Sequence, residues 1–596
     1  MTDIAASGAF PIAFHANEAC CFGWFHAAQP PTRGVGVVLC RPIGYESICA
    51  YGTYTQLAEN LARAGFDVIR FDYHGTGDSA GDDADPNRVR AWIDSIKAAA
   101  CELKQLSGIS RLALFGVRLG ATLAAQAAVQ LGGVENLMMW APCATGRGFA
   151  RELRAAGANR PTAKKSGFEA NDIEALGYLY TAQTVQDLEV LQCQEFAVPP
   201  AKNVLILGRD DMPGEGPLPS KYREMGMPTT YAVVPGYALM MAEPRETVFV
   251  PETLELITSW LCAANPFDAS FAQTPGTGAT CLDGIAFDGI REMPMMFGPG
   301  RSLFGILAEP AEPAEPGVLD RRNETAILML NVGGNYRIGP NRIYVKMARS
   351  LAGLGYRALR FDLAGLGDSR TEMGFCNSTL YSRDSTAEVR AAIDELVNRG
   401  CKNFHLLGIC SGSFVAFQTA LVDPRVTGQI LMNSRLLEWQ EAGEGGTWQS
   451  SMQKSYKSID FYRRALFHPQ VYRRILSGEV DVNGIAKRFS AIVEAQLKRA
   501  VGRLLRRVPH EEGVFAKVKR LSVRGTDTLL IVGTEDDGRD YVEFHFGSRG
   551  SRMQGNPHFQ MVMVEKADHT FSGRASEQFV IATVQAYLEM KVSMTG

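Results

Sequence analysis

Phe404-His405-Leu406-Leu407-Gly408-Ile409-Cys410-Ser411-Gly412-Ser413 runs directly into Phe414-Val415-Ala416-Phe417-Gln418. Apolar residues lead into a tight Gly-x-Cys-x-Gly turn, and the chain then continues as a helix. A strand that turns this sharply into a helix forces its central residue out at the top of the sheet. Side chains at the flanking positions would clash, which is why glycine stands there. The residue forced out is a thiol, Cys410. Five residues decide little alone, so the rest of the chain must supply partners for it.

At 596 residues the chain is too long for one ordinary core, and two large domains are expected. A hydrophobic content of 46% with 21% charged residues fits a soluble globular protein, and a net charge of -3 gives no overall attraction to nucleic acid or membrane. The start, Met1-Thr2-Asp3-Ile4-Ala5-Ala6-Ser7, lacks a basic region followed by an apolar core. No apolar run reaches membrane-spanning length, so a cytoplasmic location is expected. Twelve cysteines are scattered, with Cys20-Cys21 the only close pair, which suits neither a disulfide framework nor a zinc spacing. No metal and no cofactor is expected.

The chain also repeats itself. Leu61-Ala62-Arg63-Ala64-Gly65-Phe66-Asp67-Val68-Ile69-Arg70-Phe71-Asp72-Tyr73-His74-Gly75-Thr76-Gly77-Asp78-Ser79 recurs as Leu351-Ala352-Gly353-Leu354-Gly355-Tyr356-Arg357-Ala358-Leu359-Arg360-Phe361-Asp362-Leu363-Ala364-Gly365-Leu366-Gly367-Asp368-Ser369. Each copy reads as a helix end, a glycine stop, a buried strand and a glycine-rich loop. This Arg-Phe-Asp-x-x-Gly-x-Gly-Asp-Ser signature resembles the loop after the fourth strand in α/β-hydrolases of the serine-aminopeptidase and lysophospholipase-like group. The resemblance covers nearly the whole chain. It implies an α/β class with two tandem α/β-hydrolase domains, each a mostly parallel sheet flanked by helices with a helical lid insertion. Residues 1–265 would be the first domain, 266–281 a linker rich in Ala, Pro, Gly, Thr and Ser, and 282–596 the second domain.

In the first copy, strands are expected around Ala19 to Ala28 and Gly34 to Cys40. The elbow reads Phe115-Gly116-Val117-Arg118-Leu119-Gly120, with arginine where the nucleophile belongs. A guanidinium stays protonated and cannot attack a carbonyl. The acid position offers Asp211, and the histidine position reads Tyr237-Ala238-Leu239-Met240. Without nucleophile or base, this copy reads as a pseudohydrolase, and its Gly-x-Arg-Leu-Gly turn resembles that of exosortase-associated hydrolase-like proteins. Arg118 reads as a structural ion-pair residue, with Asp211 as a candidate partner.

The second copy restores what the first lacks. Strand Thr528-Leu529-Leu530-Ile531-Val532 leads into Gly533-Thr534-Glu535-Asp536, and Met561-Val562-Met563-Val564-Glu565 leads into Lys566-Ala567-Asp568-His569. The order Cys410, Asp536, His569 matches the nucleophile, acid and base order of the fold that the chain resembles. His569 would take the thiol proton, Asp536 would orient the imidazole, and the thiolate would attack an acyl carbon. Asp537 is adjacent and competes for the acid role. The oxyanion donors are expected at the backbone N–H of Ser411 and in Asn331-Val332-Gly333-Gly334-Asn335-Tyr336-Arg337, at Gly334 with Gly333 close behind. The lid is expected at about 436–521. Its stretch Lys487 to Arg507 is basic, and Arg499, Arg503, Arg506 and Arg507 would meet an acidic partner such as an acyl carrier protein.

Three functions follow. The first is an acyltransferase that holds the acyl group as a Cys410 thioester, taken from an acyl carrier protein or coenzyme A and passed to an amine or alcohol. The second is a thioesterase or esterase that lets water into the same intermediate, since dienelactone-hydrolase-like enzymes also use cysteine in this fold. The third is a non-catalytic binding scaffold. Homodimerisation stays open.

Overall fold

Val35–Cys40, Asp67–Phe71 and Asn136–Trp140 are buried at every position. Short runs of this kind are strands covered on both faces. In the computed structural model they are β3, β4 and β6. The described residues are 8–158, 171–212, 216–244, 248, 250–267, 284–312, 321–369, 384–438 and 513–595. They fall into two compact units, Met1–Phe404 with Thr570–Gly596, and His405–His569.

The first copy lies wholly in the first unit. Its remaining strands are β1 (Ala9–Ala16), β2 (Ala19–His26), β5 (Arg111–Val117), the ribbon β7 (Ile173–Ala175) and β8 (Tyr178–Tyr180), β9 (Asn203–Arg209) and β10 (Thr229–Val234). The main sheet has the order β1-β2-β4-β3-β5-β6-β9-β10. It is parallel from β4 to β10 and antiparallel at β1 and β2. Alternate residues of each strand point to opposite faces. Val38, Ile69 and Leu114 join one apolar cluster with Trp92, Ile96 and Leu103 of helix Arg88–Ser107. Val37, Val68 and Ala113 join the other, with Leu57 and Leu61 of helix Tyr51–Arg63 and with Ile257 of helix Pro251–Ala264. This two-sided burial holds the sheet between helical layers.

The second copy repeats the plan. Strands β11 (Ile285–Phe287), β12 (Ile290–Phe297), β13 (Leu303–Pro310), β14 (Thr325–Leu330) and β15 (Arg357–Phe361) lie in the first unit in the order β11-β12-β13-β15-β14. Strands β16 (Asn403–Ile409), β17 (Val426–Met432), β18 (Asp527–Gly533) and β19 (Phe559–Val564) follow in the order β16-β17-β18-β19, with β17, β18 and β19 parallel. Residues 268–281 of the expected linker lie outside the described residues. So do residues 439–512 of the expected lid, including Arg499, Arg503, Arg506 and Arg507. Among the described residues no helix is long and apolar enough to cross a membrane.

Within the first unit the repeated signature meets itself. Arg70 of the first copy pairs with Asp368 of the second at 2.6 Å, and Arg360 of the second pairs with Asp78 of the first at 3.1 Å. These are the same two signature positions, exchanged between copies. Arg337 sits at their centre, 2.6 Å from Asp78, 2.8 Å from Asp362 and 2.7 Å from Asp368. Glu292 binds Arg360 at 2.7 Å and Arg349 at 2.8 Å. Burial opposes its charge, yet the two guanidiniums hold the Glu292 carboxyl down at about 2. An apolar patch of Phe22 and Trp24 from β2 with Phe304 and Ile306 from β13 flanks the ion pairs, and the Tyr51 and Tyr336 rings stack at 3.9 Å.

Candidate active site

Cys410 has φ 55 and ψ -112, immediately before helix Ser411–Val422. A non-glycine residue in this region is strained by about 1–3 kcal/mol and persists only where its surroundings fix it. Its own N–H donates to the Met432 carbonyl at 3.0 Å. A Cβ on Gly408 would come within 2.1 Å of the Gly412 backbone, so glycine is required there for the close approach of strand and helix. Ser413 ties the turn together, donating to the Gly408 and Met432 carbonyls at 2.7 and 2.9 Å. Cys410 therefore stands half-buried at the C-terminal end of β16, and the Ser411 N–H lies in the first turn of the following helix.

The second unit brings Cys410, Asp536 and His569 together. Asp536 is fully buried at its side chain and accepts from His569 Nδ1 at 2.5 Å. Its other oxygen accepts from the Gly538 N–H at 2.8 Å. On its other side His569 shares a hydrogen bond with the Cys410 thiol. Burial pushes the thiol up, but the His569 hydrogen bond and charge outweigh it, and Cys410 is held below the ordinary thiol range. Burial likewise opposes the imidazolium, but the bonds to Asp536 and Cys410 raise His569 to about 9. Together these shifts favour a thiolate–imidazolium pair at rest.

Asp537, the competing acid, instead pairs with Arg435 at 2.6 Å. Asp536, Asp537 and His569 bring three ligand atoms within 4.8 Å of one another, a set in which a metal could be held. All three residues are already engaged, in the His569–Asp536 and Arg435–Asp537 contacts.

Two residues of this site did not emerge from the sequence. Arg435 adds positive charge that favours the Cys410 thiolate. Asn433, fully buried with φ 45 at the end of β17, pins the loops that carry His569 and follow Gly533. Its Nδ2 donates to the carbonyls of Asp568 and His569 at 3.0 and 2.8 Å, and its Oδ1 accepts from the Gly533 N–H at 2.8 Å. Asn433→Ala strips the bonds from three backbone groups and is expected to cost about 1–3 kcal/mol of stability in urea unfolding. It should also slow iodoacetamide alkylation of Cys410 at neutral pH, because the imidazole is no longer held. Unchanged alkylation would show that Asn433 does not position the histidine.

Gly333 and Gly334, the expected second oxyanion donors, belong to the first unit. Gly333 has φ 54 with open space where a Cβ would stand, and the loop is anchored by the Arg337 N–H donating to Asp362 at 2.6 Å.

The first copy keeps the backbone of the elbow with arginine at its tip. Arg118 has φ 54 and ψ -124, nearly the conformation of Cys410. The expected partnership with Asp211 is not formed. Arg118 binds Glu46 at 3.0 Å and also Glu152, while Asp211 is taken by its neighbour Arg209 at 2.6 Å. A two-residue contact forms locally, and Arg118 is left to carboxylates on the helices beside it. Tyr237, at the histidine position, lies under the Arg209 guanidinium at 4.0 Å. At the position of Asn433 the first copy has Ala141, with φ 47 and no side chain to pin a histidine loop.

Comparison with known proteins gives two family matches. The serine aminopeptidase, S33 model matches residues 48–164, and the alpha/beta hydrolase family model matches residues 333–582. No curated protein matches the chain. Among solved structures, Est1E from Butyrivibrio proteoclasticus with ferulic acid bound is 14% identical, covering 42% of this chain and 98% of its own at a TM-score of 0.34. Proline iminopeptidase from Mycobacterium smegmatis is 16% identical, covering 43% and 98% at a TM-score of 0.29. An alpha-beta serine hydrolase homologue from Coxiella burnetii is 16% identical, covering 42% and 96% at a TM-score of 0.29. With two family matches in sequence and the strand order of each copy laid out above, the chain carries two α/β-hydrolase-fold domains in tandem.

Proposed function

We propose that the protein is an acyltransferase working through a Cys410 thioester, with the first copy non-catalytic. The observation that carries this reading is the continuous chain from the Cys410 thiol through His569 to buried Asp536, with the thiol held down and the imidazole held up. The thiolate attacks the carbonyl carbon of an acyl-thioester donor, and the Ser411 N–H faces the oxygen that becomes negative. The tetrahedral intermediate collapses, the donor thiolate leaves with the imidazolium proton, and the acyl group remains on Cys410 sulfur. An amine or alcohol then attacks, His569 takes its proton, and the Cys410 thiolate departs. Exchange between two thioesters is nearly isoenergetic, which suits a sulfur nucleophile to taking acyl groups from a carrier. Coenzyme A or an acyl carrier protein is the proposed donor, the latter docking on Arg499, Arg503, Arg506 and Arg507.

Hydrolysis of the same intermediate is the second reading, favoured by the hydrolase family models. Incubation with acyl thioesters followed by intact mass separates the readings. A persistent adduct absent from Cys410→Ala is expected for transfer. Rapid Cys410-dependent turnover without an adduct would mean hydrolysis, and neither outcome would leave a scaffold.

A further inference from the structure

A cavity lies within the first unit, where the Pro42–Ile48 loop, the Gly75–Gly77 turn and β8 of the first copy face Tyr336 and Arg342 of the second. Its polar lining is rich in donors. The side chains of Arg88 and Arg342 and of Tyr178, Tyr180 and Tyr336 line it, and among the described residues no carboxylate does.

The two arginines are unusual for their surroundings. Each is 3% exposed. Neither forms an ion pair among the described residues, although the neighbouring Arg337, Arg349 and Arg360 all do. Arg342 donates from Nε to the Gly77 carbonyl and from Nη1 to the Gly81 carbonyl, both at 2.7 Å, and from Nη2 to the Ser79 carbonyl. Arg88 donates from Nη1 to the Asp83 and Leu179 carbonyls at 3.2 and 3.1 Å, and its Nε is buried with no partner. A guanidinium carries five N–H donors, so both side chains keep donors that no protein acceptor meets. Tyr180 and Tyr336 are 2% and 3% exposed, and their hydroxyls make no hydrogen bond among the described residues. Buried polar groups are normally partnered, and buried charges normally have a countercharge. Here burial outweighs the carboxylates that act on the two side chains from outside the cavity lining, Asp83, Asp82 and Asp85 on Arg88 and Asp82, Glu292 and Asp78 on Arg342: it holds the Arg88 guanidinium below its usual range and, with Arg349 repelling, brings Arg342 down to about 10.

A ligand with acceptor-only oxygens supplies the acceptors that these donors lack, and a negative charge on it would sit directly against the two guanidiniums, which no carboxylate among the described residues contacts. We infer that this cavity binds a small oxyanion, a carboxylate or a phosphate, with Arg88 and Arg342 as its countercharge and the Tyr180 and Tyr336 hydroxyls donating to its oxygens.

The test uses the full-length protein, titrated calorimetrically and by thermal shift with sodium phosphate and, separately, sodium acetate, at ionic strength held constant with chloride. Saturable binding in the millimolar range or tighter is expected, by phosphate if the ligand group is tetrahedral and by acetate if it is planar. The double substitution Tyr180→Phe with Tyr336→Phe removes two hydroxyls and no charge, and should weaken binding roughly tenfold or more. Arg88→Met should abolish it. Absence of saturable binding by both anions overturns the inference. So does undiminished binding by the double tyrosine variant, which would leave only non-specific attraction.

Discussion

Asp78→Ala is expected to destabilise the protein by about 3–5 kcal/mol, the cost of breaking a buried ion pair from one side. The Asp78 carboxylate has no exposed surface, and it sits between Arg337 and Arg360, whose side chains are 1% and 0% exposed. Asp362, Asp368 and Glu292 still face the two guanidiniums in the variant, so the charges are not abandoned. They do, however, lose the one carboxylate that both share, in a place water does not reach. Asp78→Asn keeps the shape and one acceptor oxygen and should lose less. Asp211→Ala breaks the exposed contact with Arg209 and should leave the urea midpoint unmoved. Equal midpoints for the Asp78 and Asp211 variants would mean that the buried network carries no net stability.

The location of Asp78 matters as much as its burial. It belongs to the copy with arginine at its elbow, while the guanidiniums it neutralises belong to the copy that carries Cys410, Asp536 and His569. Arg337 ends the loop that contains Gly333 and Gly334, and Arg360 lies on β15. Loss of the first copy would leave Arg337 to Asp362 and Asp368 and Arg360 to Glu292, would remove the buried carboxylate the two guanidiniums share, and would open the network to solvent, which gives a physical reason for the first copy to persist. Residues 282–596 expressed alone should therefore be poorly soluble or weakly active, and full activity from that piece would show that the pairing is dispensable.

Local signals in the sequence carried the fold, and contacts between distant elements did not. Glycine spacing gave the elbow because Gly408 answers a steric demand within five residues, the close approach of the Gly412 backbone. The repeated Arg-Phe-Asp-x-x-Gly-x-Gly-Asp-Ser loop was legible for the same reason. Its most consequential property was not, because Arg70 can in principle pair with any carboxylate, and only the docking of the copies selects Asp368. β1 was missed because Pro11 interrupts Ala9–Ala16, and a proline normally argues against a strand. It is tolerated here because β1 is at the sheet edge, where a missing N–H leaves no neighbour unbonded. Asn433 was recoverable. It follows Cys410 by the same interval that separates Ala141 from Arg118, so aligning the copies at their elbows sets a buried amide against a methyl group in the copy that has no histidine to hold. The partner of Arg118 was not recoverable, since Glu46 and Glu152 are distant in sequence and no motif marks them.

Alkylation of Cys410 by iodoacetamide is expected to be fast and nearly level across neutral pH, and His569→Ala should return it to a rise near the free-thiol pKa of about 8.5. The sign follows from the two shifts. Cys410 is depressed, so the thiolate exists down to its lowered value, and His569 is raised to about 9, so the imidazolium exists up to that point. Between these limits both charges are present, and the two titrations belong to the pair rather than to either residue. The proposed acyl transfer uses both, the thiolate to attack and the imidazolium to protonate the leaving group, so turnover should hold through neutral pH and fall as pH passes about 9. The same linkage acts on stability. The contribution of His569 is complete below its unfolded value of about 6.5 and is lost as pH rises through the folded value. That of Cys410 is complete above about 8.5 and is lost as pH falls through its lowered folded value. Asp536→Asn keeps the shape but leaves the imidazole unanchored, and acylation should slow by roughly 10⁴-fold, as removal of the orienting carboxylate does in other triads. The pH dependence of alkylation separates this account from an ordinary buried cysteine. A wild-type profile that rises only above the free-thiol pKa, and coincides with that of His569→Ala, would mean that no thiolate is formed in advance and that His569 does not act on Cys410.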